Sequence, residues 1–295
     1  MERFGGSTPM KAQRFESNPI ISLESGDDLG GNINGPSLIL APSWLENPLG
    51  KYYLYFAHHK GSYIRLAYAD DLKGPWRVHE PGTLRLEDSH CYNHIASPDV
   101  HVDNEKREIR MYYHGWVAER DQKSKVALSK DGIAFTAFPE VLGEPYLRVF
   151  NWGGYHYALG MPGVFYRSKD GLTGFEEGPT LFTEDMRHAA FRLEGDTLEV
   201  YYSNAFDCPE QILLATIDLT PDWAEWKESP PVTVLEPETE YEGAGMPLEP
   251  SARGLIMGKV RQVRDPGIFR EGNDSYLLYS VAGEYGLAIA KLLPA

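Results

Sequence analysis

The 295-residue sequence predicts an all-β protein, a five-bladed β-propeller closed by a strand from its N-terminus, on three observations. A rhythm of entry strand, aromatic strand, small-residue strand and outer strand recurs along the chain. Turn residues fall at matched points of each recurrence, before the aromatic strand at 47–50, 103–106, 151–154, 194–196 and 272–274. The composition, with 18 Tyr and 29 Gly, suits turn-rich β-structure rather than a helical bundle.

In chain order, residues to about Asn18 are polar and Gly-rich and are expected to form an ordered lead-in only in part. Pro19–Leu23 (PIISL) is a short apolar strand with no partner nearby in sequence. The repeats then occupy about 32–81, 93–140, 144–182, 187–236 and 260–293, within one domain spanning 1–295. The aromatic strands are plain to see: YYLYFA at 52–57, IRMYYH at 109–114, YHYALG at 155–160, LEVYYS at 198–203 and YLLYSV at 276–281. The third strands run into Asp-Asp-Leu, Asp-Gly or Asp-Leu turns at 70–72, 131–132, 170–171 and 218–219. The fifth unit has only three strands before the chain ends, so PIISL is expected to supply its outer strand and close the ring. Closure removes the exposed sheet edges that a row of short antiparallel strands would otherwise carry. Residues 236–263, rich in Pro, Gly and Glu, break the rhythm. Their apolar interruptions at 246–248 and 255–257 predict a long loop that packs.

A net charge of -15 repels a phosphate backbone and no Lys/Arg run offsets it, which sets nucleic acid aside. Two isolated cysteines, Cys91 and Cys208, are expected to be reduced thiols. No apolar leader core and no run of about 18 apolar residues occurs, so a soluble, cytoplasmic protein with no membrane partner is expected, a trimmed leader aside. No His/Cys/Asp spacing fits a zinc site, and neither a Gly-rich phosphate loop nor a G-x-S-x-G elbow is present. No cofactor is required; the metal is unknown, with a structural calcium ion in the channel allowed.

In a propeller the entry strands line the central channel, and the loops after the second strands reach the same mouth. The entry strands carry Asn34, His94, Asp99, Tyr146, Arg148, Arg187, His188, Arg264 and Asp265; the loops carry His58, His59, His114, Trp116, Asn204, Asp207 and Glu284. Polar groups recurring around a buried channel need partners, and a funnel of carboxylates, histidines, arginines and Trp suits a polyhydroxylated ligand. Singly, each Asp-Pro or Pro-Asp reads better as a turn in which Asp accepts backbone N–H groups, a reading that their recurrence at matching points of several blades weakens.

The motifs NGPS (34–37), ASPDV (96–100) and RDP (264–266), each before an aromatic strand, resemble those of the five-bladed propeller glycoside hydrolases, family 43 and its relatives 32, 68, 117 and 130. The resemblance implies a carbohydrate substrate and an acid/base pair in the funnel. It places the family's second-blade Asp at Asp99. The first-blade Asp is replaced by Gly35, the third-blade Asp has no match, and the fourth-blade Glu aligns with Arg187-His188. The resemblance to family 117 makes His188 an acid candidate. Glu242 is the second, if residues 236–263 hang over the funnel and bury it. The expected catalytic pool is therefore Asp99, Asp265, Glu242 and His188, with Asn34, His58, His59, His94, Trp116, Tyr146, Arg148, Arg187 and Arg264 contacting sugar. The expected function is hydrolysis at the end of a small oligosaccharide or polysaccharide. The alternatives are a phosphorylase, holding phosphate with Arg148, Arg187, His188 and Lys60, and a non-catalytic sugar-binding propeller.

Overall fold

The computed structural model describes residues 10–27 and 29–294. Two strands come first, β1 (Met10–Arg14) and β2 (Ile21–Ser22). Blade one is β3 (Asn34–Leu40), β4 (Tyr52–Ala57), β5 (Arg65–Ala69) and β6 (Arg77–His79). Blade two is β7 (Tyr92–Asp103), β8 (Glu108–Ala118), β9 (Asp121–Ser129) and β10 (Phe135–Ala137). Blade three is β11 (Arg148–Trp152), β12 (Tyr155–Gly160), β13 (Val164–Ser168) and β14 (Glu176–Thr180). Blade four is β15 (Met186–Glu194), β16 (Thr197–Asn204), β17 (Ile212–Asp218) and β18 (Val232–Leu235). Blade five is β19 (Arg264–Glu271), β20 (Asp274–Val281) and β21 (Gly286–Pro294). Among the described residues the blade strands pair antiparallel, each with its neighbour in the chain, and the closure pairs β1 and β2 with β21, also antiparallel.

The chain's two ends do close the ring, but most of the outer strand is not the predicted PIISL. Strand β1 pairs with β21 over Met10↔Pro294 to Arg14↔Ala290, and β2 adds only Ile21↔Leu287 and Ser22↔Gly286. The segment Met10–Arg14 looks polar because only one face of an outer strand is covered: Met10 packs into the core while Lys11 and Gln13 face solvent.

Period-two alternation sends one blade's side chains into two interfaces. Leu54 and Phe56 pack against Leu278 and Ile289 of blade five, whereas Tyr53 and Tyr55 pack against Ile109 and Met111 of blade two. Tyr112 meets Val149 and Ala158 of blade three; Tyr157 and Leu159 meet Val200 and Leu213 of blade four; Tyr201 and Leu214 meet Leu277 and Tyr279 of blade five. Five apolar clusters thus fill five blade-to-blade interfaces. The Asp-Gly turns lock two of them: the Tyr55 hydroxyl donates to the Gly132 carbonyl at 2.7 Å, and Tyr112 to Gly171 at 2.8 Å.

Candidate active site

Four of the five entry strands carry a register shift near their N-terminal ends, after Asn34, Ala96, Met186 and Arg264. In blade three the Pro145 carbonyl accepts from Met161 N–H at 2.9 Å before regular pairing starts at Arg148↔Leu159. Aligned on these pairings, the equivalent bulge residues are Gly35, Ser97, Tyr146, Arg187 and Asp265. Gly35, Ser97, Tyr146 and Asp265 share a left-handed φ of 60°, 51°, 64° and 52°. For the three non-glycines that conformation costs about 1–3 kcal/mol each, the kind of strain that concentrates at functional sites. These positions share one level, at the N-terminal ends of the entry strands.

At that level Nδ1 of His188 contacts Oδ1 of Asp265, and the Ser280 hydroxyl donates to Asp265 Oδ2 at 3.1 Å. Both members are buried; apart from this contact, neither ring nitrogen of His188 nor Asp265 Oδ1 has a partner. Burial alone would raise the Asp265 carboxyl, but His188, Arg187 and Arg264 outweigh it and hold it well below the usual carboxylate range. Burial lowers His188 first, Arg187 and Arg148 lower it further, and Asp265 only partly opposes them. These shifts favour an ionised Asp265 against a neutral imidazole, and a proton on Nδ1 would then lie toward Asp265.

Around this pair runs a charge-balanced network. Arg264 reaches Glu210 Oε2 at 2.8 Å, Glu284 Oε1 at 3.3 Å and the Gln262 side chain. Arg187 pairs with Glu210 at 3.1 Å, and Ser203 donates to Glu210 at 2.8 Å. His59 Nδ1 lies 2.6 Å from Glu284 Oε2, which also accepts from Asn34 at 3.2 Å. Tyr146 stands between His188 and His114, its ring centroid 4.1 Å and 4.0 Å from theirs; the stack continues through His94 to Trp116. Tyr146 and Trp116 are partly exposed, Tyr146 with the two imidazoles packed against its ring. Both ring nitrogens of His114, Asn34 Oδ1, Asn204 Oδ1 and Arg148 Nη2 are buried without a hydrogen-bond partner, an accumulation that a polar occupant of the funnel would relieve.

Asp207, in the loop after β16, is the one carboxyl here pushed the other way. Burial raises it first, and Glu210 and Asp185 raise it further. Its backbone carbonyl accepts from Ser251 N–H at 2.9 Å, fastening the loop to the segment before blade five. That segment covers the blade-four, -five and -one side of the mouth. Arg187 donates to the Gly254 carbonyl at 3.1 Å, Asn32 to Met257 Sδ at 3.8 Å, and Lys259 bridges to Gly283.

Two expected catalytic residues are elsewhere. Asp99 sits two residues beyond the bulge, deeper in the channel by about 6–7 Å of strand. Its Oδ2 accepts from Val149 N–H and contacts His101 Nε2, both at 2.8 Å, and it lines a small cavity with Ser37 and Gly267. Arg148, donating to the carbonyls of Ser97, Pro98 and Ala189, fills the axis between the two levels. Glu242 is not over the funnel. It lies in the blade-four to blade-five interface, bound to Arg14 at 2.7 Å, Tyr279 at 2.8 Å and the N–H groups of Glu238 and Thr239. Tyr279 and Ser280 point to opposite faces of β20, so the carboxylate against Tyr279 cannot share a site with Asp265. The loop does pack, as its apolar residues required, but Glu242 serves as its internal cap.

Of the remaining expected residues, Asn34, His59, His94, Tyr146, Arg187 and Arg264 converge with the His188–Asp265 pair, Trp116 ends the ring stack, and half-buried His58 lies against Gly30. Gly35 has no room for the missing first-blade carboxylate, since a Cβ there would lie 2.9 Å from Ser97 Cα. Glu210, which joins Arg187 to Arg264, is not among the residues the sequence pointed to. Its signal was indirect: two arginines in a buried channel demand carboxylates, and Glu210 lies two residues before β17 in the right blade. Among the described residues, no group of three or more His, Cys, Asp or Glu converges as metal ligands, and no helix is long and apolar enough to cross a membrane. Cys91 and Cys208 are free thiols.

The fold is that of the five-bladed propeller glycoside hydrolases. A glycosyl hydrolase from Bacteroides ovatus superposes with a TM-score of 0.68 at 12% identity, over 96% of this chain and 93% of that one. A structure from the family 130 mannoside phosphorylases and hydrolases gives 0.67 at 12%, over 97% and 94%. A family 43 enzyme from Xanthomonas citri gives 0.59 at 13%, over 89% and 88%. No protein-family model matches the sequence. An uncharacterized protein of Acanthamoeba polyphaga mimivirus is 37% identical over 320 residues, covering 95% of this chain and 89% of the viral protein. The chain belongs to the same family as that protein.

Proposed function

We propose that the protein is a glycoside hydrolase in which His188, oriented by Asp265, is the general base and Asp207 the general acid. The observation that carries this reading is the buried His188–Asp265 pair with its unpartnered Nε2 at the funnel floor. Titratable groups whose surroundings push them apart mark acid and base roles. His188 is driven toward the neutral imidazole and Asp207 toward the protonated carboxyl. In the reaction Nε2 takes a proton from water as the water oxygen bonds to the anomeric carbon. The glycosidic C–O bond breaks, and Asp207 gives its proton to the departing oxygen. Asp265 stabilises the imidazolium, as the carboxylate does in a catalytic triad. Trp116 gives the sugar ring an apolar face, while Asn34, Asn204 and His114 supply buried polar atoms for its hydroxyls. Arg187 is taken up by Glu210 and the Gly254 carbonyl, and Arg148 keeps only Nη2 unpartnered, so the funnel offers a phosphate a single free guanidinium nitrogen from this pair.

The test is turnover of a panel of aryl glycosides, arabinofuranosides and β-mannosides included, by the protein and by His188→Gln. Turnover that falls about 10²–10⁴-fold in the variant is expected for loss of a general base. Equal turnover by both proteins would remove His188 from the mechanism. The alternative of a non-catalytic sugar-binding propeller draws on one observation, the filled position at Gly35. Sugar binding without turnover of any panel member would favour it.

A further inference from the structure

On the face away from the funnel mouth, blades two and three part to leave a cleft of about 250 Å³ lined by His101, Asp103, Asn104, Arg110, Asn151 and His156 among others. None of the catalytic reading uses it. Arg110 is only 4% exposed. Its Nη1 donates to the Asp170 carbonyl at 2.8 Å, but its Nη2 has no hydrogen-bond acceptor, and the nearest carboxylate oxygen, Glu108 Oε1, is 3.7 Å away. A guanidinium nitrogen buried without an acceptor on a cavity wall is costly unless something fills the cavity.

The other polar groups of the cleft are mainly donors or have their acceptor capacity in use. Asn104 Oδ1 already accepts from Trp44 at 3.1 Å, which leaves its amide nitrogen. Asp103 caps its own turn, accepting from Lys106 N–H at 2.9 Å with Lys106 Nζ at 3.7 Å. Glu108 is shared between Arg110 and Lys130, and Asp99 is taken up by His101 and Val149 N–H. Across the cleft His156 is held down first by burial and then by Arg110, Lys106 and His101, with Asp170 opposing. Arg110 and Lys106 are thus the charges that disfavour a proton on His156, with Asp170 opposing them.

We propose that this cleft binds an oxyanion, the phosphate or carboxylate group of a small polar molecule, bridged between Arg110 Nη2 and His156. An anion there satisfies the orphaned guanidinium and turns the field on His156 from adverse to favourable.

The experiment is a titration of the full-length protein with inorganic phosphate, glucose 6-phosphate and glucuronate. It is followed by the histidine ¹⁵N signals and by calorimetry, and repeated on His156→Gln, Arg110→Gln and His188→Gln. At least one probe is expected to bind and to raise the His156 titration midpoint. His156→Gln, on the cleft wall and free of the folding risk at buried Arg110, is expected to weaken binding about tenfold or more, the loss of one charge-assisted hydrogen bond. His188→Gln is expected to bind as the parent does. Preference for the phosphates or for glucuronate names the source of the oxyanion. Binding lost in His188→Gln but kept in His156→Gln would place the anion in the funnel and overturn the proposal, as would no binding of any probe. Neither outcome bears on glycoside turnover, which is measured separately.

Discussion

Replacing Glu242 with Gln separates a structural carboxylate from a catalytic one. Its oxygens accept from Arg14 Nε at 2.7 Å, Tyr279 hydroxyl at 2.8 Å, Glu238 N–H at 2.9 Å and Thr239 N–H at 3.1 Å, in full burial. Gln keeps one oxygen and turns an NH₂ toward groups that are themselves donors. Breaking a buried ion pair from one side costs about 3–5 kcal/mol, because the partner's charge is left without compensation. Arg14 keeps Glu238 Oε2 and the Glu236 carbonyl, each at 2.8 Å, which places the loss at the lower end of that range. For a chain of this size about 3 kcal/mol lowers Tm by roughly 6–12 °C. The residue ties β1, the closing strand, to the loop before blade five, so the ring seam is what weakens. Thermal unfolding followed by circular dichroism reads the shift, and turnover per folded molecule below the transition should match the parent. A variant with unchanged Tm and collapsed turnover would refute the placement of Glu242 and restore it to the acid–base pool.

Other outcomes follow from the same structure. Gly35→Asp, which restores a first-blade carboxylate, should reduce soluble yield and unfolding free energy rather than add activity, because φ is 60° and a Cβ would meet Ser97 Cα at 2.9 Å. His94, His114, His156 and His188 all titrate below the ordinary 6.5 in the folded protein, with burial the first cause. The unfolded chain therefore binds more protons below that pH, so stability present above it should decline as pH falls through and below 6.5; Tm against pH checks the sign. Arg187→Met removes the donor to the Gly254 carbonyl, and limited proteolysis should then cut faster at the exposed Leu255 and Met257. With a lowered base and a raised acid, the pH–rate profile should be a bell centred on the acidic side of neutrality.

The sequence made the blades legible because each aromatic strand alternates between two interfaces, so that YYLYFA or LEVYYS announces a sheet covered on both faces. The closing strand was harder to see. Met10–Arg14 buries one residue's worth of core and otherwise reads as a polar lead-in. The entry strands disclosed His188, Asp265, Arg187 and Arg264, since polar residues at the head of a buried strand have few other reasons to be there. What a linear reading could not supply was depth along the axis. Asp99 and Asp265 each adjoin a proline, yet one follows its proline and the other precedes it, and that offset moves Asp99 to the far side of Arg148. Glu242 misled for a related reason: an acidic loop between two blades can hang over the mouth or wedge into the seam, and only Arg14, 228 positions away, decides which.

The central claim, that Asp265 holds His188 as a neutral imidazole with a free Nε2, is tested most directly by the ¹⁵N resonances of the His188 side chain through a pH titration. The Nδ1–H tautomer, a midpoint below the ordinary 6.5 and a change of tautomer population in Asp265→Asn are expected. A proton on Nε2, or a midpoint at or above 6.5 with no response to Asp265→Asn, would contradict it.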